Sequence, residues 1–170
     1  THYFFYLAED ALGNNRSVVG NVTIGTNAFD VPPDTALLSF SHLVVYTASS
    51  LVEQATPASH FLVDKFASVS DVLLVDKDQD AFDLGGEVTW ASPAATEQVE
   101  FYHVYFASSA SGSQRSEVGS AYLLGTNVFQ LPPETPKLIY THLVVYTKSS
   151  LVEQTTPVAF RFSDTTASVS

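Results

Sequence analysis

Apolar and polar residues alternate in short runs along the chain. In "VEFYHVYFA", which begins at Val99, they alternate residue by residue, and a period of two predicts a β-strand with one buried face. Clusters of Gly, Pro, Ser and Asn between the runs predict turns. The two prolines of "NVFQLPP" are expected to end an edge strand. The other predicted strands are "SDVLLVD", "GEVTWAS", "SEVGSAYLLG", "IYTHLVVYT" and "PVAFRFSD", with no substantial helix.

The pattern occurs twice. "HLVVYTASSLVEQATP", at His42, returns as "HLVVYTKSSLVEQTTP" at His142, and 27 of 46 positions are identical between residues 25–70 and 125–170. Upstream, the match continues after a one-residue slip. A period of about 100 residues suits a whole sandwich domain. The sequence therefore predicts an all-β protein of tandem seven-stranded antiparallel β-sandwiches: a partial copy in 1–66 (strands C to G), a complete copy in 67–164, and the start of a further repeat in 165–170.

The first copy lacks the two strands that begin the second copy. Without them, Tyr6, Leu43 and Val45 are expected to lose the cover of a second sheet. Either strands that precede Thr1 complete the domain, or a neighbouring molecule donates strands to the open edge.

Composition narrows the classes of partner. Val, Tyr, Phe, Thr and Ser dominate, as in strands, and the net charge of −11 argues against nucleic acid and anionic lipid as partners. The chain has no cysteine, which excludes a disulfide framework, a thiolate metal site and a cysteine nucleophile. No apolar run reaches the roughly 20 residues of a membrane helix, so no direct membrane insertion is predicted.

Two stretches resemble a known family. "VTWASPAATEQVEFYHVYF" resembles the B–C region of a fibronectin type III domain, in which a Trp ends strand B, a Pro follows and aromatic alternation opens strand C. "LPPETPKLIYTHLVVYT" is similar to that family's E–F corner, with Tyr140 as the corner tyrosine, although the first copy has Phe40 there. The resemblance implies immunoglobulin-like β-sandwiches. The sequence around "LGG" and "HLVVYT" is also similar to tandem repeats in very large secreted proteins of unicellular algae.

An acidic loop is the main candidate site. "DKDQDAFDLGGE" places Asp76, Asp78, Asp80 and Glu87 at positions 1, 3, 5 and 12 of an EF-hand-type calcium loop. Position 6 is Ala81 instead of Gly, and the flanks have strand patterns, so an EF-hand proper is excluded. A calcium-binding A–B loop near the domain junction and a solvated acidic loop both remain open. The candidate ligands are Asp76, Asp78, Asp80, Asp83 and Glu87, with Asp64, repeated as Asp164, from the preceding domain.

Other polar motifs are weaker. Asn15 in "NRS" and Asn21 in "NVT" begin acceptor sequons for N-glycosylation, and neither sequon repeats in the second copy. His42 and His142 each begin a predicted strand, and a structural hydrogen bond is the expected role for them.

The sequence favours a non-enzymatic structural repeat of a long extracellular or cell-surface fibre, whose partners are neighbouring repeats or identical chains. Tandem sandwiches, few basic residues, the candidate calcium loop and the sequons support this hypothesis. The alternatives are an adhesion module that binds carbohydrate or protein on its loops, and the accessory repeats of a larger secreted enzyme.

Overall fold

The computed structural model describes residues 1–164 and 166–167, and it is all-β, with no helix in those residues. The chain divides into two compact units, unit 1 (Thr1–Asp64) and unit 2, from Lys65 onward. None of the described segments is a helix of the length and apolarity that crossing a bilayer requires. Of 165–170, where a further repeat is predicted to begin, only Thr166 and Ala167 are described.

Unit 1 is one antiparallel sheet. Its strands are β1 (His2–Ala8), β2 (Ser17–Thr23), β3 (His42–Ala48) and β4 (Ala58–Phe61), in the order β2-β1-β3-β4. The alternating apolar residues of β1 and β3 give the sheet two different faces. One face carries a small cluster of Ala8, Val44 and Tyr46, which are buried.

Unit 2 has two antiparallel sheets. A three-stranded sheet has the order β10-β6-β5, and a five-stranded sheet has the order β12-β11-β7-β8, with β9 also paired to β7. The strands are β5 (Ser70–Asp76), β6 (Asp83–Ala91), β7 (Phe101–Ala107), β8 (Ser116–Glu117), β9 (Tyr122–Leu123), β10 (Val128–Pro136), β11 (His142–Lys148) and β12 (Val158–Arg161).

The core of unit 2 contains residues of both sheets, so its fold is β-sandwich-like. Trp90 of β6 is 4% exposed, and its ring lies 5.5 Å from that of Tyr102 and 5.8 Å from that of Tyr122, centroid to centroid. The single tryptophan of the chain is therefore buried in this core. The remaining buried cluster includes Val72 and Leu74 of β5, Leu84 and Val88 of β6, Leu131 of β10, and Val104, Leu143 and Val145 of the larger sheet.

The expectation that the proline pair ends its strand is wrong. β10 continues through Pro132 and Pro133 as far as Pro136, because a register shift between Leu131 and Thr135 takes both prolines out of the ladder with β6. Glu134 adopts a left-handed conformation (φ 59°) in this bulge. β10 lies at the edge of its sheet, as predicted.

The corresponding residues form no strand in unit 1. Residues 28–36 match β10 of unit 2, but they have no strand conformation. The reason is the absence of a pairing partner in the described residues of unit 1. β10 is hydrogen-bonded to β6, and unit 1 has no counterpart of β6. A strand with weak intrinsic preference needs a neighbour that satisfies its backbone groups.

Candidate functional site

The acidic loop between β5 and β6 is held by its own carboxylates. The Asp76 Oδ1 atom accepts hydrogen bonds from the N–H groups of Asp78 (3.2 Å) and Gly85 (3.1 Å). The Asp78 Oδ1 atom accepts one from the N–H of Asp80 at 3.0 Å. The alternating aspartates therefore turn the chain by bonding to backbone N–H groups two residues on. The flanks are strands, which confirms that this is no EF-hand.

Three carboxylates converge at one end of unit 2. Oxygens of Asp78, Asp80 and Glu134 all lie within 4.8 Å of one another, with Asp78 buried and the other two exposed. The negative charge of Asp78, followed by that of Asp80, raises the pKa of Glu134 above its ordinary value. Hydrogen bonds from the N–H groups of Glu134 and Asp80 lower the pKa of Asp78. The group thus concentrates negative charge that a bound cation would neutralise.

The backbone bulge in β10 places Glu134 in this group. The N–H of Glu134 donates to the Asp78 Oδ2 atom at 2.7 Å, so the buried carboxylate holds the two segments together. Gly85 lies under the bulge, and a Cβ at Gly85 would stand 2.8 Å from the Cα of Pro133. Sequence spacing did not identify Glu134, because 56 positions separate it from Asp78. The sequence feature that could have indicated Glu134 is an acidic residue directly after two prolines, which occurs in both copies.

The other predicted ligands lie outside this group of three carboxylates, although the charge of Asp83 also contributes to the raised pKa of Glu134. Asp83 begins β6, where it pairs with Pro136, and Glu87 is an exposed β6 residue that accepts a hydrogen bond from Gln130 Nε2 at 3.1 Å. In unit 1, Asp64 lines a shallow depression with Thr35, Leu37, Leu62 and Val63. Asp164, its counterpart in unit 2, accepts a hydrogen bond from the N–H of Phe82 at 2.8 Å and lies 3.6 Å from Lys137 Nζ.

Chemically, the acidic group could hold one metal ion. Carboxylate oxygens are the ligands of hard cations such as Ca²⁺ and Mg²⁺. Three side chains supply fewer oxygens than the six to eight that Ca²⁺ takes, so water or bidentate contacts would complete the shell. Two of the three side chains are exposed, and the structural role of Asp78 accounts for its burial without an ion.

Both sequon asparagines are exposed. Asn15 has a left-handed backbone (φ 49°), and its Nδ2 donates to Glu9 Oε2 at 2.7 Å. Asn21 lies on β2, the edge strand of unit 1, opposite Phe4. Neither side chain is enclosed by the core of unit 1, so both are accessible to modification.

The repeat-related histidines have the structural role predicted for them. His42 Nδ1 lies 2.8 Å from Ser41 Oγ, and His142 Nδ1 lies 2.8 Å from Thr141 Oγ1, in each case at the start of a strand. A single hydrogen bond to the preceding hydroxyl orients each ring.

A repeated arginine–tyrosine cluster is the feature that the sequence analysis missed. In unit 1, the guanidinium of Arg16 lies 4.5 Å from the ring centre of Tyr6 and 4.0 Å from that of Tyr46. Glu53 accepts from Arg16 Nη2 at 2.6 Å and from the hydroxyl of Tyr6 at 2.7 Å. Cation–π contacts and a charge-assisted hydrogen bond thus join β1, β3 and the loop that follows β1.

Unit 2 repeats this cluster residue by residue. Arg115 lies 4.5 Å from the ring centre of Tyr105 and 4.4 Å from that of Tyr146, and its Nη2 lies 2.7 Å from Glu153 Oε1. Burial and the hydrogen bond to Glu153 raise the pKa of Tyr105. Its neutral hydroxyl therefore acts as a hydrogen-bond donor, and the cluster fastens the loop to the sheet. Identity of all four residues between the copies is the sequence signal that could have revealed it.

The turns after β3 and β11 expose identical apolar pairs. Leu51 is 94% exposed and Val52 is also exposed, and Leu151 and Val152 of unit 2 have the same exposed positions. The hydroxyls of Ser49 and Ser149 accept from the N–H groups of these pairs, which fixes both turns in the same conformation.

No family model and no curated protein matches this chain.

Proposed function

We propose that this chain is a non-catalytic structural repeat of a long extracellular or cell-surface fibre. The observation that carries this proposal is duplication of a whole sheet together with the cluster that braces it. Both copies keep the Arg–Tyr–Tyr–Glu cluster, the serine-capped turn and the histidine at the strand start. These groups stabilise the fold and its turns, which is what selection on a building block preserves.

The repeat type that fits best is fibronectin type III-like. Numbered within unit 2, the smaller sheet has the order six, two, one, and the larger sheet pairs the last two strands with the third, which also pairs with the fourth and fifth. Two facing antiparallel sheets are typical of immunoglobulin-like sandwiches, and the buried Trp90 near the end of the second strand agrees with the fibronectin type III resemblance. Only residues 62–69 separate the last strand of unit 1 from the first of unit 2, a short connection such as successive fibre repeats need.

Calcium binding by the group of Asp78, Asp80 and Glu134 is part of this proposal. Titration of the full chain with calcium and then with chelator, followed by thermal melting, tests it. Calcium should raise the melting temperature of unit 2, because an ion that binds the folded state stabilises it. Asp80→Asn should weaken the response, and Asp71→Asn, which alters an exposed acid outside the group, should not. An unchanged melting temperature at millimolar calcium would show that the group does not bind calcium and is a solvated acidic surface.

Electron microscopy of the native protein tests whether it forms a fibre. Rods or filaments beaded at the spacing of a sandwich domain are the expected result. Isolated compact particles would contradict the proposal.

An adhesion module is the second candidate, and the exposed pairs Leu51–Val52 and Leu151–Val152 favour it. Identical apolar residues at two solvent-facing turns have no role in either core. A pulldown and a glycan array with the full chain, compared with a Leu51→Ser/Leu151→Ser variant, separate the two functions. Binding that the variant loses would support adhesion, whereas a fibre spacer should bind nothing.

A further inference from the structure

The edge strand β2 of unit 1 is long and uncharged. Its seven residues, SVVGNVT, include no acidic or basic residue and no proline, and in the described residues β2 pairs with β1 alone. A register shift near Val19 interrupts the ladder once, and residues 20–23 continue it without a break. The free edge of such a strand offers unpaired backbone groups to any other strand, and proteins oppose this pairing with charges, prolines or very short edge strands.

Unit 2 protects the same edge in a different way. Its counterpart of β2 is divided into β8 and β9, which have two residues each, and Gly119 (φ 78°) lies between them. Glu117 adds a negative charge to β8. In this unit β6 pairs with β5 and β10, and the edge formed by β8 and β9 stays free. Strands of the β5 and β6 type would therefore leave β2 free as well, so its edge requires a protection of its own.

The backbone groups of Asn21 and Thr23 face the open side of β2. The N–H of Ile24 donates to the carbonyl oxygen of Thr1 at 3.3 Å, which makes these two residues a hydrogen-bonded pair. Hydrogen-bonded and non-hydrogen-bonded pairs alternate along an antiparallel ladder, so Asn21 and Thr23 belong to the second kind. Their N–H and C=O groups point away from β1, and both residues are exposed.

We propose that Asn21 carries an N-linked oligosaccharide, and that this glycan keeps β2 from pairing with the same strand of another chain. Asn21 and Thr23 are the first and third residues of the acceptor sequon "NVT". An N-linked glycan is bulky and solubilising, so at Asn21 it blocks the approach of a second strand to the open edge. The inference rests on the extracellular location given under Proposed function.

The attachment needs one co-reactant, an oligosaccharide linked to a lipid diphosphate. The Asn21 Nδ2 atom attacks the anomeric carbon of the sugar. A C–N bond forms, the C–O bond to the diphosphate breaks, Nδ2 gives up one proton, and the lipid diphosphate leaves. No electron transfer takes place, so no oxidant or reductant is required.

Secretion of the full chain from cultured eukaryotic cells, behind a cleavable signal peptide, tests the site. The background variant is Asn15→Gln, which removes the other sequon and matches Gln114 of unit 2; Asn15 and Gln114 have φ 49° and 48°. This variant should show a gel shift that an endoglycosidase removes. Addition of Asn21→Gln or, independently, of Thr23→Val should abolish the shift. Absence of a shift in the background variant would overturn the proposal.

Light scattering of the same background variant, made with and without the glycan, tests the protective role. The unglycosylated chain should form a dimer at high concentration, and the glycosylated chain should stay monomeric. In the unglycosylated chain, Asn21→Lys should abolish the dimer, because a lysine on an edge strand opposes pairing. Ser120→Lys makes the same change of charge at the matching exposed position of unit 2 and should leave the dimer intact.

A monomeric unglycosylated chain would overturn the protective role, and so would a dimer that persists with Asn21→Lys.

Mass spectrometry of the native protein separates this inference from the proposed fibre. A glycan on the peptide that contains Asn21 would support the inference, and an unmodified Asn21 would overturn it, whichever assembly electron microscopy of the same sample shows. Isolated compact particles with a glycan at Asn21 would contradict the fibre and support the inference.

Discussion

The two sheets that the repeat creates share the sequence HLVVYT in β3 and β11, but one face has a different environment in each sheet. On the outer face, Val44 and Val144 are both fully buried, because each unit braces that face with its own arginine–tyrosine cluster. On the inner face, Leu143 is fully buried and Leu43 is not. Contacts within the four-strand sheet and its arginine–tyrosine cluster are reproduced in both units. In the described residues, contacts that require a second sheet are formed in unit 2 alone.

This difference shows that the burial of a side chain depends on the fold around it and not on the residue type alone. A leucine in the same strand, between the same neighbours, contributes to stability in proportion to the apolar area that its surroundings remove from water. The two units therefore form an internal control, in which matched substitutions measure the energetic value of the second sheet.

The largest expected effect is that of Trp90→Ala. The ring contacts Tyr102, Tyr122 and Phe129 in the core of unit 2, and its loss should lower the free energy of unfolding of unit 2 by about 3–5 kcal/mol. Urea unfolding followed by the NMR signals of Val44 and Val144 reports each unit separately. Unit 1 should be unchanged, and Phe82→Ala, at an exposed position, is the control. A loss below about 1 kcal/mol would refute the role of Trp90 in the core.

The matched pair Leu143→Ala and Leu43→Ala tests the comparison directly. Leu143→Ala should cost unit 2 about 2–5 kcal/mol, because it leaves a cavity between two sheets. Leu43→Ala should cost unit 1 less, because Leu43 is only partly buried and its removal leaves no closed cavity between two sheets. The same urea experiment measures both. Equal losses would mean that the inner face of unit 1 is covered in solution.

Substitution of the loop glycines should affect the two units equally. Gly13 (φ 83°) and Gly112 (φ 80°) have conformations that disfavour L residues, and a Cβ would overlap the hydroxyls of Tyr46 and Tyr146. Gly13→Ala and Gly112→Ala should each cost about 1–3 kcal/mol in their own unit. Differential scanning calorimetry of both variants provides the measurement. A large inequality would show that the outer faces differ more than their contacts indicate.

The smallest effect concerns Glu134 and pH. Folding raises the pKa of Glu134. Protonation of Glu134 therefore stabilises unit 2 fully at a pH below the pKa that this group has in the unfolded chain. This stabilisation is lost as the pH rises through the pKa of the folded state. Without calcium, Glu134→Gln should therefore raise the melting temperature of unit 2 at about pH 7, and the gain should vanish near pH 3.5. Asp34→Asn should not change the pH dependence of unit 1, where the described residues include no acidic A–B loop. A gain that is independent of pH would exclude repulsion as its cause.

Local pattern predicted most strands. "SDVLLVD" is β5 from its first residue to its last, and the alternating run from Val99 contains β7. The acidic loop was predicted where three aspartates alternate, and Asp78 and Asp80 do lie in the carboxylate group. Glu134 could not be predicted, because a bulge in a distant strand positions it. The arginine–tyrosine cluster was missed for the same reason, since its members come from three separate segments.

By itself, the sequence determined the all-β class, the duplication, and which side of each strand is apolar, because turn residues and the two-residue period act over a few neighbours. Tertiary structure decided whether residues with the β10 sequence form a strand, which acids meet, and which apolar face is covered. Backbone pairing and burial need a partner in space, and that partner, β6, is present in unit 2 and has no counterpart in the described residues of unit 1. The two related copies therefore have different structures in the described residues.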